Sequence, residues 1–341
     1  MYKPGAIKEK ARQILKNQLS LSTYYFIRDC FDKKDKYSYD KNLFTAIKQK
    51  LSTRKDQPIE NDLEFIEFLH HLFPNSGDGF FKSVDGESDV ENLMIAARTT
   101  FNEIAALGVT LENAKILDIG CGYGENLLAS NEYGIKFALG IDYSSESRKG
   151  FENLKNNFEP SNIQNVKFLS CDFSEAELED ESFDLVISIA SFEHFEDPEA
   201  VLNLCYRVLK KGGFLFAHFD PLFLSPFGAH RLGTTGIPYI QNLFSDQTVF
   251  KFFEDKRADN LIHPTKGTPL NNQDPYPEMN RWTVRQFDHL FNQPDRWEKS
   301  FYRKRYLHAY YFMSLLFKNE LAKYTEEDLF TAGITALLRK I

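Results

Sequence analysis

The chain has 341 residues, of which 42% are hydrophobic and 26% charged. That is the composition of an ordinary soluble globular protein with ample material for a core. The net charge of −8, from 41 basic and 49 acidic residues, raises the cost of approaching a polyanion, so no nucleic-acid partner is expected. Cys30, Cys121, Cys171 and Cys205 form no CxxC pair, which argues against a disulfide framework or a cysteine zinc site. The N-terminus lacks the apolar stretch of a signal peptide, and no run approaches the ~20 apolar residues of a membrane span. A cytoplasmic location without membrane contact is the expectation.

Residues 1–110 read as a helical extension. KEKARQILKNQL, FTAIKQKL and EFIEFLHHLF space their apolar residues three or four apart. A turn is expected at Asn75-Ser76-Gly77-Asp78-Gly79. A further helix starts near Asp89 and stops at Gly108, a C′ glycine. From residue 111 the rhythm becomes strand, helix, strand. KILDI, KFALGID, VKFLS, FDLVISI and FLFAHF are expected strands. Between the first two, a helix opens at Glu125. The helix from Ser144 is stopped by Pro160, and that from Asp197-Pro198 carries an N-cap and an N1 proline. Lys210-Lys211-Gly212-Gly213 is expected to end that helix, with cations near the negative end of its dipole. Such alternation implies a mostly parallel sheet covered on both faces. Beyond Asp220, prolines and glycines mark an insertion over about 220–282. Thr283–Phe291 is a helix, Trp297–Arg305 a strand, 306–324 an aromatic helical insertion, and FTAGITALLRK the last strand.

In such a sheet, ligands bind beyond the C-terminal ends of the strands. The loop after the first strand is LDIGCGYGENL, with Gly120, Gly122 and Gly124. A dinucleotide fingerprint would place its third glycine where Glu125 stands, and a phosphate loop would need GK[ST]. A glutamate at a helix N-terminus also opposes phosphate binding there. Three acids point elsewhere. Asp118 lies inside the first strand. Asp142 ends the second, where a carboxylate can accept from two ribose hydroxyls. Asp172 follows the third, suited to an adenine amino group. A ligand with ribose, adenine and a cationic tail but no phosphate fits them, and S-adenosylmethionine is such a ligand.

AKILDIGCGYG, LGIDYS, VKFLSCDF and FDLVISIASFEHFEDPEAVLNLCYRVLKKGGFLF, within residues 114–218, resemble class I S-adenosylmethionine-dependent methyltransferases of the type 11-like kind. The C-terminal third resembles the tails of bacterial enzymes that methylate sugars or natural products. The resemblance implies an α/β fold: a Rossmann-like sheet of seven strands, mostly parallel, with the last antiparallel. It places the cofactor on Asp118, Gly120, Cys121, Gly122, Gly124, Asp142, Tyr143, Cys171, Asp172, Phe173, Ala190 and Ser191. Asp118 would hold the ammonium, Asp142 the ribose diol, Asp172 adenine N6, and Tyr143 the adenine face. Ala190 and Ser191 would line the methyl-donor end.

Histidine is the natural base at neutral pH. His194, after the fourth strand, and His230, in the insertion after the fifth, are the catalytic candidates; His218 is expected to be structural. Some relatives with quinol substrates carry ExxEH and a divalent metal at Glu193-His194. Ala190 stands here in place of their first glutamate, so no metal is expected. Arg231, Arg281 and Arg285 are candidates to hold an anionic acceptor. Phe80, Phe81 and Phe101 could line an apolar pocket under a helical lid. The function expected is methyl transfer to a small-molecule hydroxyl. A small amine, or a protein or tRNA acceptor, is the alternative. A non-catalytic binding module and a dehydrogenase both fit the intact loop less well. A homodimer is left open.

Overall fold

A computed structural model describes residues 41–54, 58–74, 87–230, 235–258, 274–276 and 278–341. The expected helix over 8–19, the turn at 75–79, Cys30, Phe80, Phe81 and Arg231 lie outside them. Seven strands form one sheet: β1 (Lys115–Ile119), β2 (Phe137–Ile141), β3 (Val166–Leu169), β4 (Phe183–Ile189), β5 (Leu209–Phe219), β6 (Trp297–Tyr306) and β7 (Thr331–Lys340). Their order is β3-β2-β1-β4-β5-β7-β6. β1 to β5 pair in parallel, and β7 runs antiparallel between β5 and β6. The strand order reverses at β1, where β2 and β4 flank it, so the crevice at the C-terminal ends opens there.

Alternation along each strand supplies two apolar faces. Ile116, Leu185, Ile187 and Phe216 pack beneath α3 (Glu87–Ala106), α4 (Glu125–Ala129) and α5 (Ser145–Lys155). Leu117, Val186, Leu215 and Leu338 meet the other layer, α6 (Pro198–Val208) and α9 (Val284–Leu290). The segment before residue 110 is therefore not one layer. α3 belongs to the sheet, and Phe101, fully buried beside Ile104, is sheet core rather than pocket wall. The preceding helices α1 (Lys41–Ser52) and α2 (Leu63–Leu72) pack instead on the two C-terminal insertions. Ile47, Phe65 and Leu69 join Phe223, Phe252 and Phe317 in a separate aromatic core. That core also takes in α7 (Ile240–Leu243), α8 (Asp246–Ala258) and the short helices α10 (Tyr311–Leu316), α11 (Lys318–Leu321) and α12 (Glu326–Phe330). Buried amides organise it: Gln241 donates to the Phe223 and Ser225 carbonyls, and Asn242 to that of Leu224.

Lys210-Lys211-Gly212-Gly213 does not cap α6 as expected. The helix ends at Val208, and the pairing of β5 with β4 jumps from Leu209 to Phe214, so the four residues bulge out of the strand. Gly212 supplies the left-handed turn at φ +79°, and Lys210 Nζ reaches Asp184 at 2.6 Å. The start of α6 is as read: Asp197 Oδ1 accepts from Glu199 N at 3.1 Å and Ala200 N at 3.0 Å, with Pro198 at N1. Asp197→Ala is expected to lower stability by about 1 kcal/mol. Urea unfolding should show a lower midpoint at unchanged slope.

Candidate active site

The glycine loop crosses the end of β2. Gly120 N and Cys121 N both donate to Ile141 O, at 2.9 and 3.2 Å. Gly120, Gly122 and Gly124 all have positive φ, at +72°, +54° and +73°. The left-handed region is costly for other residues, so this path calls for glycine. Gly122 N–H donates to Asp142 Oδ2 at 3.0 Å, and Ser144 N–H to Oδ1 at 2.9 Å. The Ser147 side chain also bonds this carboxylate, whose acceptor capacity of about four sites leaves room for a ligand hydroxyl. Beside it, the Tyr143 ring is 75% exposed and offers a flat apolar face.

Asp118 is fully buried at the base of the cleft. Asn126 donates to its Oδ2 at 3.0 Å, while Oδ1 has no hydrogen-bond partner. Burial pushes its pKa up to about 8, assisted by Glu125 and Asp142 and opposed by the Asn126 bond. Glu125, in the first turn of α4, is raised by burial to about 7, and its Oε2 also lacks a partner. Glu125 and Asn126 are absent from the sequence-based site. The signal available was two polar residues opening an otherwise apolar run, ENLLA. Two acids with unmatched buried oxygens form a socket that a cationic group would neutralise.

At the end of β3, Asp172 Oδ1 accepts from Ser174 N at 2.8 Å and Ser174 Oγ at 2.5 Å, which fixes the turn. Cys171 and Phe173 flank it half-buried, and Phe173 meets Phe195 edge to face at 5.8 Å. After β4, Ala190 is exposed at φ +49°. Ser191 is buried, and its Oγ lies 2.8 Å from Ile189 O and 3.2 Å from Gly120 O, so it buttresses the glycine loop.

The acceptor side is built from two segments. Glu193 and His194 leave β4, and His230 comes from the insertion after β5. The two imidazoles meet edge to face, with centroids 4.9 Å apart and planes at 87°. His194 Nδ1 lies 2.8 Å from Glu278 O and must be its donor. Nε2 is then the nitrogen with the lone pair. His230 Nε2 likewise donates to Pro221 O at 2.8 Å. Burial holds the His194 pKa below the ordinary imidazole value. Glu193 is 1% exposed, and burial pushes its carboxyl well up. Asn280, absent from the sequence-based site, ties the loop down: its Nδ2 donates to Phe192 O at 2.6 Å and Phe195 O at 3.0 Å.

The arginines expected to bind an anion do not converge here. Arg281 is committed to Asp246 at 3.0 Å and Asp274 at 2.5 Å, and lies over the Phe223 ring. Arg285 is exposed on α9. His218 Nδ1 bonds Thr335 Oγ1 at 2.8 Å across β5 and β7, a structural tie. Among the described residues, no helix is long and apolar enough to cross a membrane.

A sheet reversing at β1, a left-handed glycine turn above it and acids closing β2 and β3 define the class I methyltransferase architecture. Residues 117–217 match the family model described as "Methyltransferase domain", a match that supports S-adenosylmethionine as the cofactor. The chain is 36% identical over 110 residues to the mitochondrial ubiquinone biosynthesis O-methyltransferase of Mus musculus, a match that covers 32% of this chain and 29% of that protein. It is 28% identical over 179 residues to the sarcosine/dimethylglycine N-methyltransferase of Halorhodospira halochloris, covering 49% and 60%. The chain therefore spans less than a third of the mouse protein and under two thirds of the bacterial one. A solved S-adenosylmethionine-dependent methyltransferase from Mesorhizobium loti aligns at 15% identity and a TM-score of 0.43, covering 72% of this chain and 99% of that one.

Proposed function

We propose that the protein transfers a methyl group from S-adenosylmethionine to a hydroxyl oxygen of a small molecule of the sugar or natural-product kind. The observation that carries this reading is the placing of a lone-pair imidazole nitrogen, His194 Nε2, at the end of β4, beside a donor cleft lined by Asp118, Asp142 and Asp172. In this reading Asp142 holds the ribose hydroxyls, Tyr143 covers the adenine, and Asp172, Cys171 and Phe173 border its edge. Asp118, braced by Asn126, receives the ammonium, with Glu125 close by. The glycines and Cys121 let main chain approach the ligand, and Ala190 and Ser191 border its donor end.

S-adenosylmethionine supplies a methyl carbon activated by the adjoining sulfonium. The chain's own part is alignment and proton removal. Holding acceptor and donor in line contributes several of the roughly 7–11 kcal/mol available to well-oriented reactants. His194 Nε2 accepts the proton that the hydroxyl loses as its oxygen forms the bond to carbon. The depressed pKa keeps this imidazole neutral, and so able to accept, at neutral pH.

The direct test is calorimetric titration with S-adenosylmethionine and NAD, then a mass search for a product heavier by one methylene among sugars, phenols and amines. Binding of NAD alone would sink the reading; products from amines alone would move the acceptor atom to nitrogen. A pH signature also follows. Below pH about 8 Asp118 is protonated in the free protein, and pairing with an ammonium expels that proton. Affinity should therefore rise with pH by up to about tenfold per unit, and level off near pH 8, where the ligand's own amino group deprotonates. At pH 6.5 the binding heat should vary with the buffer's ionisation enthalpy, and in Asp118→Asn that dependence should shrink.

A further inference from the structure

We propose that Asn280 is a positioning residue for the transfer: it clamps the strap 278–282 onto the loop after β4, and so makes the Glu278 carbonyl the group that directs His194. The proposal rests on the preceding reading of His194 as the base. Asn280 N–H donates to Glu193 O at 3.0 Å, one residue before that base. Its Nδ2 carries two protons and gives one each to Phe192 O, at 2.6 Å, and Phe195 O, at 3.0 Å. Its Oδ1 accepts from Trp282 N–H at 3.1 Å, so the partners on both ends fix which way the amide points. The carbonyls it grips, at 192, 193 and 195, bracket His194 on both sides.

Glu278 lies two residues earlier on the strap, and its carbonyl can only accept. His194 Nδ1, 2.8 Å away, therefore carries the ring proton, and the lone pair falls on Nε2. In a Ser-His-Asp triad a carboxylate holds the histidine in its working tautomer and direction. Here a main-chain carbonyl does so, without setting a second charge on the ring. Such a director works only if it stays in place. The strap lies between α8 and α9 in turn and irregular backbone, with no helix or ladder to hold it. The hydrogen bonds of Asn280 supply that hold.

The neighbours of Asn280 anchor the strap to other parts of the molecule. Met279 is buried in the aromatic core of the insertions. Trp282 packs on Phe287 of α9, with ring centroids 5.3 Å apart. Arg281 sits between them at φ +59°, bridged to Asp246 and Asp274 and laid over the Phe223 and Tyr276 rings. A left-handed arginine persists only where its surroundings impose it, and two carboxylates and two rings do so here. The arginine that the sequence offered for an anion is thus a fixing point of the strap. Asn280 directs its own bonds the other way, at the loop that carries the base. The direction of the imidazole is therefore set by the insertion after β5, not by the strand that His194 follows.

The test reads the ring itself. The full chain is labelled with ¹⁵N-histidine and observed by NMR at about pH 7.5, where His194 is neutral. His194→Ala identifies its signals among the eight histidines. In the wild type Nδ1 should be the protonated nitrogen and Nε2 the bare one. Asn280→Asp keeps the size and the Oδ1 bond but donates nothing to Phe192 O and Phe195 O; Asn280→Ala removes those bonds without adding charge. In each, both ring nitrogens should move toward the averaged shifts of mixed tautomers, and the Nδ1 proton should exchange at least about 10-fold faster. With an acceptor in hand, kcat should fall by about 10–100-fold, since an ångström of misplacement can cost 10²-fold, while S-adenosylmethionine affinity stays unchanged and shows that the fold survives. Gln286→Ala, which removes the capping box of α9 just beyond the strap, should lower stability and leave the tautomer and kcat alone. An Nε2–H tautomer in the wild type, or wild-type tautomer and exchange in both Asn280 variants, would overturn the proposal. Mixed tautomers with full turnover would overturn the base assignment itself, a failure distinct from the other two.

Discussion

Gly120→Ala is expected to lower S-adenosylmethionine affinity by at least about 100-fold, the equivalent of ~2.7 kcal/mol. A Cβ at this position would lie 2.4 Å from Ser191 Oγ and 2.8 Å from Ser191 Cβ. Ser191 has little room to yield, because its hydroxyl is bonded to the main chain of β4 and of the loop itself. The backbone conformation at φ +72° adds a further cost of about 1–2 kcal/mol for an L side chain. The loop must therefore shift and take Gly122 N away from Asp142, so the donor cleft loses its shape. Gly122→Ala is the matched comparison. It has the same sign of φ, but its Cβ would meet nothing within 4 Å, and its loss should be several-fold smaller. Calorimetry on both variants checks this, with circular dichroism to confirm the fold. Equal effects would mean that the steric contact with Ser191 is not what shapes the loop.

The second large effect is expected from His194→Ala. Removal of a general base costs typically 10²–10⁴-fold in rate, and kcat should fall in that range once an acceptor is in hand. S-adenosylmethionine affinity should not change, since His194 lies on the acceptor side. The pH profile gives a sharper check. His194 is neutral above its lowered pKa, so wild-type activity should hold as pH falls through the ordinary imidazole range near 6.5 and drop only below it. That acid limb should vanish in the variant. A His194→Ala enzyme with full turnover would remove the imidazole from the chemistry.

The parts of this protein legible in sequence are those set by neighbours along the chain. KILDI and FDLVISI declare buried strands, GCGYG requires a left-handed turn, and Asp197-Pro198 starts a helix, each within a few residues. Lys210–Gly213 misled, because cations followed by glycines suit a helix end as well as a strand bulge; the pairing of Leu209 with Phe183 decides between them. The long-range parts were hidden. Nothing local to SFEH predicts that His230 will stand against His194, or that Asn280 will tie down Phe192 and Phe195. Nor does Arg281 announce its two carboxylate partners, which absorb the charge expected to hold an anion. The aromatic abundance was visible, but not its division between the two sheet faces and the core of α1, α2 and the insertions.

The place of β7 has a consequence for synthesis on the ribosome. Its partner β5 ends at Phe219, about 110 residues before β7 begins, and at 5–20 residues per second that interval lasts roughly 6–20 s. Throughout it, β5 offers an open, apolar edge to any extended segment nearby, and the intervening insertions must fold without closing that slot. Then the late strand enters between β5 and β6 and seals both edges together. A nascent chain stalled within the insertions is thus exposed to mispairing, and a chaperone that shields strand edges should matter most in that window.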